Sequence, residues 1–500
     1  MPLISLSPDI PWLSLVWLSM LVPALLITAI PGTQHTLIRW IGTGFAFVSL
    51  VLSLLVFFAY DPVQGGFQFV ERAAWVPQLG ISYYLGVDGI NLPMLVLNGF
   101  IIFTGALMSW NISQRMKEYW VLLLILTTGV YGVFVSLDLF LFFVFYELAV
   151  LPMYLLIGVW GSTRREYGAM KLTLFLMAGS AFALIGILAV YFGSGLRTFD
   201  MVRLAENVNF SRAYQFAFFP PLFAGFAVLA GMFPFHTWSP TGHVAAPTAV
   251  SMLHAGVLMK LGAYGCLRVA IWLMPHGAND WLPVVAVLTV FNVVYGATIA
   301  MVQRDAKFMI GYSSVSHMGL VVMALAAATE ISITGAVLQM FAHGIMTGLF
   351  FAVVGRMVYE RTHTRQLPEL GGLGRVMPFA AVMFIIAGLS GMGMPGLAGF
   401  WAEFTIFIGV WERYPLIAVI AVISIPVTAA YILRAMYRVF YAEAVNPALL
   451  NLPPLTWQEI SGAVILAAIL IAVGIYPTIL TEMINQSVVP LVQQLELGGL

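Results

Sequence analysis

The stretch GMFPFHTWSPTGH, residues 231–243, interrupts a long apolar segment with two prolines, two histidines and two glycines. Proline removes a backbone donor and its ring clashes with the preceding helical turn, so Pro234 and Pro240 each predict a helix break. Because unpaired backbone groups are not tolerated in lipid, such a break has to face protein or a water-filled cavity. The stretch therefore predicts a broken membrane-spanning helix that presents polar groups near the middle of the bilayer.

The composition of the whole chain is that of a membrane protein. Of its 500 residues, 61% are hydrophobic and 8% are charged, whereas about a quarter are charged in soluble proteins. Apolar runs of about 20 residues, enough for a helix to cross a bilayer, predict an all-α polytopic membrane protein with about 14 transmembrane helices. The predicted spans begin near residues 10, 36, 88, 118, 138, 168, 214, 245, 281, 308, 331, 378, 415 and 458.

Charge and cysteine content exclude several classes of function. The formal net charge is zero, which argues against a basic surface that binds nucleic acid. Cys266 is the one cysteine, so the chain has no thiol set for an iron–sulfur cluster or a disulfide framework. We therefore expect no cofactor and no metal in this chain. The N-terminus lacks a basic region and a cleavage site, and is expected to lead into the first span.

The distribution of basic residues predicts the orientation. If the N-terminus is placed outside, fourteen of the 21 lysines and arginines fall in inward loops and six in outward loops, and Lys260 belongs to neither. Inward loops of membrane proteins are enriched in Lys and Arg. Both termini are therefore predicted on the outer, positive side, which agrees with an even number of spans.

Several ionisable residues lie at mid-membrane depth. Glu147, Lys260 and Glu403 each occupy an apolar span, where a charge costs about 2.5–3.5 kcal/mol even on lenient insertion scales. A buried structural ion pair would explain two of them, and an isolated histidine is more often a satisfied core residue. The whole series is better explained as a proton or cation path. The histidines at the same depth are His236, His254, His317 and His343.

A metal site at the first break is the weaker alternative. His236 and His243 are seven residues apart with no carboxylate or thiol beside them. Zinc requires three or four such ligands and supporting groups around them. We expect no metal there.

A second predicted break, around Gly393, Pro395 and Gly396, precedes Glu403. The two breaks lie in spans 7 and 12, the fourth members of two units of five spans, 118–273 and 281–441. Units with an odd number of spans have opposite orientations, and inverted repeats with paired broken helices are typical of transport folds. We therefore predict two inverted five-helix repeats. They are flanked by a three-helix segment, 1–117, and by a C-terminal helix and tail, 442–500.

Seven strings resemble the antiporter-like M-type subunits of proton-pumping NADH:quinone oxidoreductase, respiratory complex I, a family that includes the mitochondrial chain 4 and photosynthetic relatives. The resemblance covers residues from about 80 to 440. YERTHT and the His-x-Trp break are its most specific parts. The strings are YLGVDGINLP (84–93), FYELAVLPMYLLIGVWG (145–161), FPFHTWSPTGHVAAPTAVSMLHAGVLMKLGAYGCLR (233–268), KFMIGYSSVSHMGLV (307–321), QMFAHGIMTGLFF (339–351), YERTHTRQLPELGGL (359–373) and GMPGLAGFWAEF (393–404).

The resemblance implies a subunit without its own redox centre, coupled to quinone reduction elsewhere in the complex. It implies L- and N-type antiporter-like neighbours, and flavin, iron–sulfur clusters and quinone in partner subunits. The location it implies is a bacterial plasma membrane, with thylakoid or mitochondrial inner membrane as alternatives.

The resemblance also assigns residues. Glu147 matches the family's essential carboxylate, Lys260 its central lysine and Glu403 its terminal acid at the proton exit. His317 and His343 match the central hydrophilic axis, and Lys307 matches a lysine at the start of span ten.

The chain departs from the family pattern near the first break. Leu229 stands where the family usually has a lysine that pairs with the span-five glutamate, and Thr241 stands where many bacterial members have an acid. His254 occupies a position that is usually apolar. We hypothesise that His254, or water ordered by His236, is the partner of Glu147. The alternative is a subunit that does not pump and acts as a coupling element.

Other functions remain open from the sequence. Multi-subunit cation/proton antiporters and membrane-bound hydrogenases use the same fold, and a stand-alone transporter is a further alternative. An inert scaffold has no use for intramembrane charges as costly as these. The electron donor, NADH or ferredoxin, the quinone, and the choice of proton over sodium are not determined by the sequence.

Overall fold

The computed structural model describes residues 4–208 and 210–497, and most of them are α-helical. Twelve helices in this part of the chain are long and apolar enough to cross a membrane. They are Trp12–Ala29, His35–Ala59, Met116–Val135, Leu139–Trp160, Arg165–Ser194, Arg212–Ala245, Thr248–Ile271, Pro275–Val302, Ala306–Ala327, Glu330–Thr362, Pro415–Tyr441 and Trp457–Ile475.

The two other predicted spans form shorter helices. Leu92–Met108 has 17 residues, and Pro378–Gly391 has 14 and continues after a break as Ala398–Arg413. At about 1.5 Å per residue, neither short helix alone covers the full hydrocarbon thickness of about 30 Å. The predicted fold class is confirmed, because every predicted span coincides with a helix, whereas the count of fourteen crossings stays a prediction.

A β-hairpin and two helices were not predicted. Strands β1 (Gln68–Val76) and β2 (Ile81–Val87) pair as an antiparallel hairpin within the loop that follows the second helix. Met201–Asn207 is a short helix, and Thr478–Leu497 forms a helix after the last predicted span. The residues of β1 are part-buried or exposed, so this strand lacks the clear apolar alternation that marks a strand in sequence.

Both predicted helix breaks are present. In span seven, helix Arg212–Ala230 ends at Gly231, and the chain resumes as Trp238–Ala245 after a short 3-10 turn, Phe235–Thr237. In span twelve, the break holds Gly393 and Gly396 at φ values of +67° and +92°, with Pro395 between them.

One proline was assigned to a break wrongly. Pro234 precedes the 3-10 turn, but Pro240 lies in the first turn of the resumed helix Trp238–Ala245. The first-turn N–H groups of a helix have no partner within that helix, so a proline there removes no intrahelical hydrogen bond.

The two predicted repeat units share a local feature. Asp138 caps helix Leu139–Trp160 and pairs with Asp200 in an isolated β-bridge, and Asp305 caps helix Ala306–Ala327 and pairs in the same way with Gln366. Asp138 lies beneath the hairpin, whose Ser82 donates to it, whereas Asp305 lines a cavity with Arg365. Equivalent bridges at different loops are what inverted units would produce, and we keep the boundaries 118–273 and 281–441 as a proposal.

Wide π-helical turns mark further irregularities that contain no proline. They occur at His254–Leu258, Cys266–Ile271, Phe291–Tyr295, Ala352–Tyr359 and Tyr437–Tyr441. Such turns occur often at functional sites. In helices Thr248–Ile271 and Glu330–Thr362, every residue of the most apolar 18-residue stretch is buried by the rest of the protein. These two helices therefore form the centre of the protein.

Candidate functional site

Lys260 and His343 lie on the two central helices and contact each other directly. Lys260 is fully buried, and its Nζ lies 2.8 Å from His343 Nδ1. The ammonium group also donates to the carbonyl oxygen of Ala255, in the π-helical turn that begins at His254. A backbone carbonyl displaced from regular helical bonding therefore helps to hold the buried ammonium group.

The line continues from His343 to the second break. The rings of His343 and His317 have centroids 5.3 Å apart, and His317 Nδ1 lies 3.0 Å from Glu403 Oε1. Gln339 Nε2 lies 3.2 Å from His317 Nδ1 and 3.5 Å from Glu403 Oε1. The structure thus brings together Lys260, His343, His317 and Glu403, and adds Gln339, which no sequence pattern singled out.

The second break creates the space for the Glu403 carboxylate. A Cβ atom on Gly393 would lie 3.0 Å from Glu403 Oε2, so a side chain there would press on the carboxylate. The positive φ of Gly393 is also a conformation that glycine adopts without steric cost. The break and the acid that follows it are therefore one structural unit.

The first break is stabilised by a residue from another span. Asn292 Oδ1 accepts from the backbone nitrogen of Phe233 at 2.5 Å, and Asn292 Nδ2 donates to the carbonyl oxygen of Gly231 at 2.9 Å. Asn292 lies in the π-helical turn Phe291–Tyr295. Backbone groups that the break frees are thus satisfied by a distant amide, with the hydroxyl of Thr241 bonding Thr237 locally.

Lys307 lines one cavity, and its sequence neighbours Asp305 and Phe308 line a second. It is buried, and its Nζ donates to the carbonyl oxygen of Ala246 at 3.1 Å. A cavity of about 120 Å³ is lined by Lys307, and a larger one of about 510 Å³, which we call the vestibule, is lined by Arg164, Thr241, Asp305 and Arg365 among others. The vestibule is lined by the loops that contain Arg164, Asp305 and Arg365. All three loops were predicted to be inward, and their shared cavity places them on one face.

Glu147 and His236 are not joined to the central line. Among the described residues, Glu147 Oε1 is buried without a hydrogen-bond partner, and Ser180 on the next helix faces its carboxylate. Neither ring nitrogen of His236 has a partner in residues 4–208 and 210–497. Lys171, on span six, approaches the first break, with its Nζ 3.5 Å from Thr241 Oγ1.

His254 does not contact Glu147 by a hydrogen bond or an ion pair in the part of the chain that the structure describes. Its ring lies 4.2 Å from the ring of His243, centroid to centroid, and 5.1 Å from that of Trp238. The hypothesis that His254 is the direct partner of Glu147 finds no contact to support it. His243, considered from the sequence only as a metal ligand, is instead the neighbour of His254.

A family model described as NADH:quinone oxidoreductase/Mrp antiporter, transmembrane, matches residues 136–428. The chain belongs to this family. The matched region contains Glu147, Lys260, His317, His343 and Glu403.

Relatives within the NADH:quinone oxidoreductase/Mrp antiporter family carry the names that the sequence strings suggested. An NADH-quinone oxidoreductase subunit M from Rhodobacter capsulatus is 37% identical over 468 residues, which cover 91% of this chain and 90% of the relative. An NAD(P)H-quinone oxidoreductase chain 4 from Microcystis aeruginosa is 34% identical over 510 residues, covering 95% and 92%. The resemblance to M-type subunits is confirmed.

Two solved structures share the fold. A chain of respiratory complex I from Thermus thermophilus with bound NADH matches with a TM-score of 0.89 and 27% identity, over 97% of this chain and 99% of that chain. A chain of the Mrp complex from Dietzia sp. matches with a TM-score of 0.84 and 20% identity over the same shares, which shows the fold alone.

Proposed function

We propose that this chain is the proton-translocating M-type membrane-arm subunit of a complex I-type NADH or ferredoxin:quinone oxidoreductase. The observation that carries the proposal is the buried line of titratable groups from Lys260 through His343 and His317 to Glu403. Burying several ionisable side chains in a membrane interior costs free energy, and such side chains typically mark ion or proton pathways. The names of relatives that align with nine-tenths of the chain support the same conclusion.

Protons would move along this line by short transfers. The Lys260 ammonium donates to His343 Nδ1, which is 2.8 Å away, and a rotation of the His343 ring or one bridging water links it to His317. His317 then donates to Glu403, 3.0 Å away. Each group returns to its starting state when it receives the next proton, so no group is consumed. Glu147, His236, His254 and Lys307 are the candidates for the uptake side.

Electron transfer would take place in partner subunits. We propose that flavin, iron–sulfur clusters and quinone are held there, that L- and N-type subunits are the neighbours in the membrane arm, and that this chain contributes no redox centre. A bacterial plasma membrane, with both termini on the positive side, is the proposed location. The excess of basic residues in loops that share the vestibule face supports this orientation.

A subunit of a cation/proton antiporter is the second candidate. The similarity to the Mrp complex supports it at the level of fold, but relatives of higher identity are named as quinone oxidoreductase subunits. A subunit that couples without pumping is a third candidate, and proton uptake measured on a variant of the central line distinguishes it from the first.

The test is proton uptake into inverted membrane vesicles that contain the assembled complex, driven by NADH or by reduced ferredoxin. Glu403→Gln keeps the size of the buried side chain and removes the carboxylate, so it is expected to lower proton uptake strongly. Glu412→Gln, on the exposed end of the same helix, is the matched control. Wild-type uptake in Glu403→Gln, with equal assembly of the complex, would contradict a pumping role.

A further inference from the structure

The imidazole rings of His243 and His254 form a contact that neither the central line nor the family pattern explains. Their centroids are 4.2 Å apart, with 49° between the ring planes, and both residues are fully buried. His243 lies in the resumed helix of the first break, and His254 begins the π-helical turn on the next span. The ring contact therefore joins two irregular backbone segments.

The space around the pair fits a histidine at position 254. A Cβ atom on Gly242 would lie 2.8 Å from Leu172 Cδ1 and 3.1 Å from His254 Cε1, so the glycine before His243 makes room for both side chains. Trp238 stacks on His254 at 5.1 Å with an interplanar angle of 30°. The ring of His254 is thus held between an aromatic face and His243.

Three of the four ring nitrogens have no partner within the described residues. They are Nδ1 of His243 and both nitrogens of His254, whereas His243 Nε2 lies 3.0 Å from Ser239 Oγ. An unsatisfied buried polar group costs about 1–3 kcal/mol, and an apolar side chain at position 254 would avoid that cost. Imidazole accepts a proton on one nitrogen and releases one from the other near neutral pH, a property that an apolar residue lacks.

The helix of His243 lines a cavity, and the span of His254 carries Lys260. Thr241 and Val244, on either side of His243 in sequence, line the vestibule. His254 is adjacent to Ala255, whose carbonyl oxygen accepts from Lys260 Nζ. The ring contact therefore joins the helix that reaches the vestibule to the span that holds the first group of the central line.

No hydrogen bond or ion pair joins Glu147 to His243 or His254 among the described residues, and Glu147 Oε1 is buried without a hydrogen-bond partner there. We propose that His243 and His254 carry protons from the vestibule to Lys260. This inference rests on the proposed function, and it identifies the uptake side of the same path.

The experiment compares three variants of the assembled complex in inverted vesicles, as protons taken up per electron pair transferred. His254→Leu keeps the buried volume and removes both nitrogens, and Lys260→Met interrupts the central line. Leu253→Met, at the preceding buried position, is the control. We expect His254→Leu to fall to the value of Lys260→Met, while Leu253→Met keeps the wild-type value.

The other outcomes separate the two proposals. Wild-type uptake in His254→Leu together with a loss in Lys260→Met would overturn the histidine route and leave the pumping function standing. Wild-type uptake in both Lys260→Met and His254→Leu would overturn the pumping function itself.

Two further measurements cover failures of folding or coupling. If His254→Leu does not assemble, His254→Gln replaces it, because the amide is polar but does not take up a proton at neutral pH, and the same outcomes decide. If Lys260→Met stops electron transfer together with pumping, the comparison is made on the rate of electron transfer.

Discussion

Asn292 accepts a hydrogen bond from the backbone nitrogen of Phe233 at 2.5 Å, although the two residues are 59 positions apart. The same amide donates to the carbonyl oxygen of Gly231, two residues before Phe233. One side chain from span nine therefore satisfies both a donor and an acceptor that the first helix break removes from regular helical bonding.

Asn292→Leu is expected to destabilise the protein, because it leaves both backbone groups buried and unpaired at about 1–3 kcal/mol each. The measurement is the thermal midpoint of the solubilised complex and the amount assembled in the membrane. Asn98→Leu is the matched control: Asn98 is fully buried, and neither of its amide atoms has a partner among the residues that the structure describes. Equal losses for both variants would show that Asn292 does not support the break.

Gly393→Ala is expected to impair proton uptake more than assembly. The new methyl group would lie 3.0 Å from Glu403 Oε2 and would displace the carboxylate from His317. Gly195 has the same φ of +67° and open space around it, so Gly195→Ala applies the same backbone strain without touching a proton-carrying group. The prediction is contradicted if the two variants lower proton uptake per electron to the same extent.

Glu459→Gln is expected to reduce assembly strongly. The carboxylate is fully buried and lies 2.7 Å from Arg361 Nη2 and 2.8 Å from Arg356 Nε, and it accepts from the backbone nitrogen of Thr456. Removing one partner of a buried ion pair costs about 3–5 kcal/mol, since the remaining charges stay desolvated. Arg361 belongs to the YERTHT string, which therefore has a structural role here.

The control for Glu459 is Glu118→Gln. Glu118 pairs with Arg115 at 3.5 Å, and about half of each side chain is exposed. Exposed pairs of this kind contribute about 0–1 kcal/mol, so assembly should remain at the wild-type amount. If Glu459→Gln assembles as well as Glu118→Gln, the buried pair does not stabilise the packing of helix Trp457–Ile475 against helix Glu330–Thr362.

Asp305→Ala is expected to be more damaging than Asp305→Asn. Asp305 Oδ1 accepts from the backbone nitrogen of Lys307 as the helix cap, and Oδ2 lies 2.5 Å from Arg365 Nε. Asparagine keeps the cap and loses the ion pair, whereas alanine loses both, and a cap contributes about 0.5–2 kcal/mol. Thermal midpoints of the two variants measure the difference. Identical midpoints would show that the cap at this helix has no effect.

Much of the fold was predictable because membrane insertion leaves a strong local signal. Runs of apolar residues located every span, and the clusters of glycine and proline located both broken helices, since backbone groups in lipid permit few alternatives. The intramembrane charges were equally visible: Lys260, His317, His343 and Glu403 were identified from depth alone, and the structure places them in one line.

Contacts between distant segments were beyond the reach of the sequence. The amide of Asn292 at the first break, the bonds of Gln339 to His317 and Glu403, and the contact of His243 with His254 each join positions that no local pattern relates. The π-helical turn at His254–Leu258 contains no proline from which the irregularity could be predicted.

A polytopic helical membrane protein with two broken spans and costly charges at mid-depth follows from the amino-acid order alone, because hydrophobicity and backbone satisfaction act over about 20 neighbouring residues. Which of those charges meet is a property of the folded molecule. Among the described residues, folding forms no hydrogen bond or ion pair between Glu147 and His254 and places His254 beside His243, since side-chain pairing depends on helix packing rather than on chain position.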